Sequence, residues 1–166
     1  MSLKRIMSNY ADYNLWVNQQ FVSWLSPKSD ELLYAEAISS FSSIMKTLDH
    51  IWSTEEYWFS VISETPMKEK KDISELSRDE IFACLLDSSA RLRNLIHSMS
   101  EEDLIKEVKI INPWFECEEP ISNYLIQVIN HGTYHRGQIV TIGRNVGITD
   151  ASNTDYNFYN VVKAKQ

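Results

Sequence analysis

Apolar side chains recur along this chain at steps of three and four, the interval at which an α-helix presents one face. Tyr10, Tyr13, Val17, Phe21 and Trp24 form the first stripe, and Pro27 stops it, because proline lacks the N–H that a helix interior uses. The second stripe is the strongest: Ile44, Leu48, Ile51, Glu55, Trp58 and Ile62, preceded by serines and ended near Pro66. A third opens with Ser77-Arg78-Asp79-Glu80, a capping box in which Ser77 and Glu80 satisfy each other's free backbone donors. It runs through Ile81, Leu85, Leu92, Ile96 and Met99. The fourth opens at Pro120, which costs nothing in a first turn, and passes through Ile121, Leu125, Val128, His135, Ile139 and Ile142 to Gly147.

Between the third and fourth stripes, EVKIINPWFECEE (107–119) contains Val108, Ile110 and Asn112-Pro113, which predict a short extended segment or hairpin. The connection from Ser26 to Ser43 is long enough for the second helix to lie beside the first in either direction. After Gly147 a polar tail carrying Tyr156, Phe158 and Tyr159 is expected to pack along the helices. Four amphipathic helices bury their stripes most readily against one another, so the predicted fold is all-α, a four-helix bundle in a single domain over residues 1–166. Composition agrees. Only four glycines and four prolines in 166 residues disfavour a many-turned β-sandwich, and 43% hydrophobic residues supply a core.

The formal net charge of −7, with no basic stripe, argues against nucleic acid and anionic membrane as partners. Lys68-Glu69-Lys70-Lys71 is short and interrupted by a carboxylate, and reads as a solvated loop. The amino terminus lacks the apolar stretch of a secretory signal, and no run of ~18 apolar residues offers a membrane span. Cys84 and Cys117 form no CxxC pair and read as reduced thiols of a cytoplasmic protein.

Candidate chemistry lies in the histidines. His131 and His135 stand four apart in the fourth helix, which places both imidazoles on one face within reach of one cation. His135 also falls on the apolar stripe, so it should face inward, where a histidine needs a partner. The intervening Gly132-Thr133-Tyr134 supplies no glutamate for an HExxH protease motif, and no ExxH pair for a di-iron bundle is present. His50, mid-way along the second helix, is by itself a histidine at the edge of a core; taken with the other pair, it completes a three-imidazole set. Such a set suits Zn²⁺ or Ni²⁺ and leaves a coordination position open. His97, near the end of the third helix, reads as a surface residue placed favourably in the helix dipole.

Ser40-Phe41-Ser42-Ser43-Ile44, Thr47-Leu48-Asp49-His50-Ile51 and Glu55, Glu56 and Trp58 resemble the DinB/YfiT-like family, as does Asn130-His131-Gly132-Thr133-Tyr134-His135-Arg136-Gly137-Gln138-Ile139. Tyr13-Asn14-Leu15-Trp16-Val17-Asn18 near the start and Arg144-Asn145-Val146-Gly147 to Thr154-Asp155 near the end fit in the same order. The resemblance implies an up-down-down-up bundle, often a homodimer, with His50, His131 and His135 as the three metal ligands. Family members with known activity include metal-dependent transferases that use a low-molecular-weight thiol such as bacillithiol or mycothiol. The expected partners are therefore a small thiol and an electrophilic substrate.

A cation held by neutral imidazoles keeps its charge and lowers the pKa of a thiol bound to it. Two other readings stand beside thiol transfer: a stress-response metal-binding scaffold without turnover, and a metal-dependent hydrolase. Trp52, Trp58 and Tyr134 are either pocket or core residues. Arg136 is expected in a salt bridge at the surface, with a carboxylate of the thiol as the alternative. Gly132 and Gly137 are expected to permit close helix approach, and Gln138 to support a ligand from behind. Glu55, five residues beyond His50, is not expected as a ligand.

Overall fold

Each predicted stripe is a helix in the computed structural model, which describes residues 2–67, 69, 71–113 and 115–165. Lys68 and Lys70 of the basic run, Trp114 of the 107–119 segment, and the terminal Met1 and Gln166 lie outside the described residues. In chain order the elements are α1 (Leu3–Leu25), α2 (Asp30–Tyr34), α3 (Ile44–Ile62), a 3₁₀ turn (Ile73–Glu75), α4 (Arg78–Ser98), α5 (Glu101–Ile105), β1 (Glu107–Ile111), β2 (Glu116–Pro120), α6 (Ile121–Asn145) and α7 (Tyr156–Lys163). The molecule is mostly helical, with one small antiparallel hairpin in which Ile110 faces Cys117.

Local chemistry sets the ends. Ser43 Oγ accepts from Lys46 N at 3.2 Å to start α3. Ser77 N donates to Glu80 Oε2 at 2.8 Å and Glu80 N to Ser77 Oγ at 3.3 Å, the capping box that the sequence predicts. Gly147, at φ +95°, ends α6: Ile148 N reaches Gly143 O at 2.7 Å and Gly147 N reaches Arg144 O at 3.3 Å, a paired closure needing a left-handed residue. Pro120 sits at the cap of α6 rather than inside its first turn, and also closes β2. The short helices α2 and α5 are absent from the periodicity reading because five residues are too few to repeat a stripe. A local signal for α5 does exist in the Ser100–Asp103 capping box.

Helix α1 packs against α4 and α6, and α3 packs against the same two, so each long helix has two long neighbours. Leu25, Leu48, Ile51, Leu85, Leu92 and Leu125 are fully buried between them. The tail packs as expected. Tyr159 is buried, with its ring 5.7 Å from Tyr13 and 5.2 Å from Trp16, and Tyr156 meets Tyr13 edge-on at 5.0 Å. No helix among the described residues is long and apolar enough to cross a membrane.

Lys4 ties the start of α1 to the end of α4. Its ammonium donates to the Ile96 carbonyl at 2.8 Å and the His97 carbonyl at 2.6 Å, and also to that of Met99, where α4 leaves carbonyls without helical partners. Lys4→Met keeps the stem and removes the donors. It is expected to cost about 1 kcal/mol, read as a lower urea midpoint at unchanged m-value.

Candidate metal centre

Helix α3 carries His50 and helix α6 carries His131 and His135, and the packing of α3 on α6 turns all three rings toward one point. Three ring nitrogens, one from each residue, lie within 4.8 Å of one another. His131 Nε2 is 3.2 Å from His50 Nε2 and 3.1 Å from His135 Nε2. Nitrogens about 2.0–2.1 Å from a tetrahedral cation stand roughly 3.3 Å apart, so the donor set fits a divalent ion.

Proton placement sharpens that fit. His135 Nδ1 lies 2.8 Å from Gln138 Oε1, and Gln138 Nε2 donates to Ser40 Oγ at 2.8 Å. The amide oxygen accepts, so Nδ1 carries the proton and Nε2 of His135 presents a lone pair. His50 and His131 cannot both be protonated at Nε2, because two N–H groups would then collide at 3.2 Å. At least two lone pairs therefore face one small volume, where either a proton on His131 Nε2 or a bound cation can satisfy them. Burial, with the nearby His135 adding to it, holds His131 down at about 4, and burial also lowers His135 against the hydrogen bond it donates to Gln138. Both rings are neutral near pH 7, the form that binds metal.

The surroundings are aromatic on one side. Phe41, in the segment before α3, stacks on His50 at 4.1 Å and meets His135 edge-on at 5.5 Å. Tyr134 is exposed and stands edge-on to His135 at 5.0 Å. Nδ1 of His131 is buried with no hydrogen-bond partner among the described residues, so no polar group holds that ring from behind as Gln138 holds His135. Trp58 stacks on Tyr124 at 5.1 Å, and Trp52 lines a groove with Cys84 and Arg91. Phe41, the ring that stacks on His50, belongs to no helical stripe. His97 lies apart, 2.9 Å from Asp12 at the surface.

Arg136 corrects the sequence reading. It is buried, not at the surface, because its guanidinium enters a polar network in the core. Nη1 donates to Asn14 Oδ1 at 3.3 Å and Asn18 Oδ1 at 3.0 Å, and Nη2 to Thr133 Oγ1 at 2.9 Å. The same two asparagines donate through Nδ2 to Glu55 Oε1, at 2.6 and 3.1 Å, while Ser88 and Ser89 donate to Glu55 Oε2 at 2.7 and 2.8 Å. Glu55 is thus buried away from the histidine set, and two amides bridge it to Arg136. Its place on the second apolar stripe was the available signal for such a carboxyl. Gly132 and Gly137 also differ from expectation. A Cβ at Gly132 would stand 2.8 Å from Arg136 Nη1, so that glycine makes room for the guanidinium rather than for a neighbouring helix. Nothing lies within 4 Å of the corresponding point at Gly137. Gln138 holds His135, as expected.

Compared with known proteins, residues 1–165 match the DinB family profile. A Bacillus subtilis (strain 168) relative described as Protein DinB is 30% identical over 164 residues, spanning 92% of this chain and 95% of that protein.

Burial pushes the Glu55 carboxyl above its ordinary value of 4.5, against hydrogen bonds from Asn14, Ser88 and Ser89 and the charge of Arg136. In the window upward from 4.5 the folded chain keeps a proton that the unfolded chain has released. The associated stability is present below that window and lost as pH rises through it. Glu55→Gln removes the titration. Its deficit in unfolding free energy relative to wild type is expected to shrink as pH rises from 4.5, in urea titrations run across pH. A deficit that widens with pH would show instead that the folded state prefers the ionised carboxylate.

Proposed function

This chain belongs to the DinB family, and on that premise we propose that it holds one divalent cation, zinc or nickel, through His50, His131 and His135 and acts as a metal-dependent transferase on a low-molecular-weight thiol. The observation that carries the reading is the convergence of three imidazole nitrogens, two of them at least as lone pairs, within 4.8 Å. Family membership also supports the up-down-down-up order of a four-helix bundle, a homodimer and a cytoplasmic setting.

When bound, the cation supplies Lewis acidity and an open position at which a thiol becomes a better nucleophile. The chain's residues do the rest. Gln138 fixes the His135 tautomer, and Ser40 fixes Gln138. Phe41 covers one face of His50 and limits water there. Tyr134 offers an exposed aromatic edge beside His135, where an electrophile with an apolar body can rest.

A second reading, a metal-binding scaffold without turnover, is favoured by one feature: among the described residues the candidate ligand cluster contains only histidines and no carboxylate. A hydrolase, which uses a general base beside the bound water, is less well supported for the same reason.

Elemental analysis of freshly purified protein is expected to give about one metal ion per chain, with His131→Ala and His135→Ala losing it and His97→Ala retaining it. Metal far below that ratio in every preparation removes the site. Metal-loaded protein incubated with bacillithiol and an alkyl halide is expected to form the thioether as the carbon–halogen bond breaks, releasing halide and the thiol proton to solvent, and a chelator to abolish the reaction. Full loading without turnover, across several thiols, selects the scaffold.

A further inference from the structure

About 200° around α6 from the histidines, two residues along the helix at 100° each, a second row of side chains faces the opposite way. Thr133, Gly137 and Val140 of that row, with Arg136, border a cleft of about 430 Å³ between α6, α1 and the segment entering α7. Its size falls in the range of small-molecule sites, about 300–1,000 Å³. Three observations say what it takes.

The first is Gly137. Glycine inside a helix is destabilising relative to alanine, and no close approach here demands it, since nothing lies within 4 Å of where its Cβ would stand. A side chain at that position would occupy the cleft. The second is Arg136, only 3% exposed, at the cleft wall. Every partner of its guanidinium is a neutral oxygen, from Asn14, Asn18, Thr133 and Tyr13. Glu55 makes no hydrogen bond to it; its charge acts through space, across the intervening amides. A buried cation with neutral partners is a ready counter-charge for a carboxylate. The third is the rim. Asp155 borders the cleft, with Oδ1 engaged by the first N–H groups of α7, so a dianion such as phosphate meets a like charge there. Phe21, Val140 and the Tyr13 ring give the remaining wall an apolar side, and Tyr10, Asn130 and Thr154 border the rest.

We propose that this cleft binds a small monocarboxylate with an apolar or aromatic body, its carboxylate directed to Arg136 and its body lying over Gly137 and Val140. The site is separate from the histidines and does not require a metal. Benzoate is the probe, monitored by ¹⁵N–¹H NMR of the full chain in the presence of a chelator. Saturable shifts of the Thr133, Gly137 and Val140 amides are expected, and they should persist in His131→Ala. Benzyl alcohol, which lacks the charge, should bind roughly tenfold to hundredfold more weakly, the range of one charge-assisted hydrogen bond, and inorganic phosphate should not compete. Gly137→Leu should keep the fold, raise Tm and abolish the shifts; Val140→Phe, a second cleft-filling change, should do the same to the shifts. No saturable response in wild type would overturn the proposal, as would equal binding of benzyl alcohol or retained binding in either filled variant.

Discussion

Glu55 and Arg136 sit in the same core and never touch. Asn14 and Asn18 stand between them, each giving its amide N–H to the carboxyl and its oxygen to the guanidinium. A lone ionisable group in such a place costs several kcal/mol, and a partly satisfied network is worse than an apolar one. The cost is avoided only when α1 presents both asparagines, α4 presents Ser88 and Ser89, and α6 presents Arg136 to the same spot. Rotating any one helix by a residue moves its contribution about 100° away. Hydrophobic burial is non-directional and accepts small rotations; the hydrogen-bond geometry of this network does not.

That constraint assigns both remaining faces of α6. With Arg136 directed inward, His131, His135 and Gln138 turn toward α3 and Phe41, while Thr133, Gly137 and Val140 turn toward the cleft beside α1. Gly132 and Gly137 serve these surroundings differently. Gly132 clears the space that the guanidinium fills, and Gly137 borders a space that stays open. One helix thereby separates a cluster of three imidazoles from a cleft that Arg136 borders.

The histidine cluster carries a cost of its own. His131 buries a ring nitrogen, Nδ1, without a hydrogen-bond partner among the described residues. Support comes from outside the cluster, through Ser40, Gln138 and the stacked Phe41. Such an arrangement is tolerable in a rigid helical frame, because α3 and α6 are held by burial along their length rather than by the histidines. Uncompensated donor groups held by a rigid scaffold are a feature of functional sites, where local rules yield to chemistry.

Much of this was legible in the residues themselves. Three-and-four spacing marked the four long helices, the Ser77–Glu80 box and Gly147 marked two of their ends, and the position of His135 on an apolar stripe marked it as inward-facing. Those features depend on contacts a few residues apart, which a linear pattern contains. The destination of Arg136 was not legible, because a residue beside a stripe faces core or water according to how its helix is rotated. Nor was the role of Phe41, which lies outside any periodic element, nor the opposite purposes of two glycines five residues apart in one helix. Helix rotation and axial register arise from many long-range contacts solved together, and only the folded chain states them.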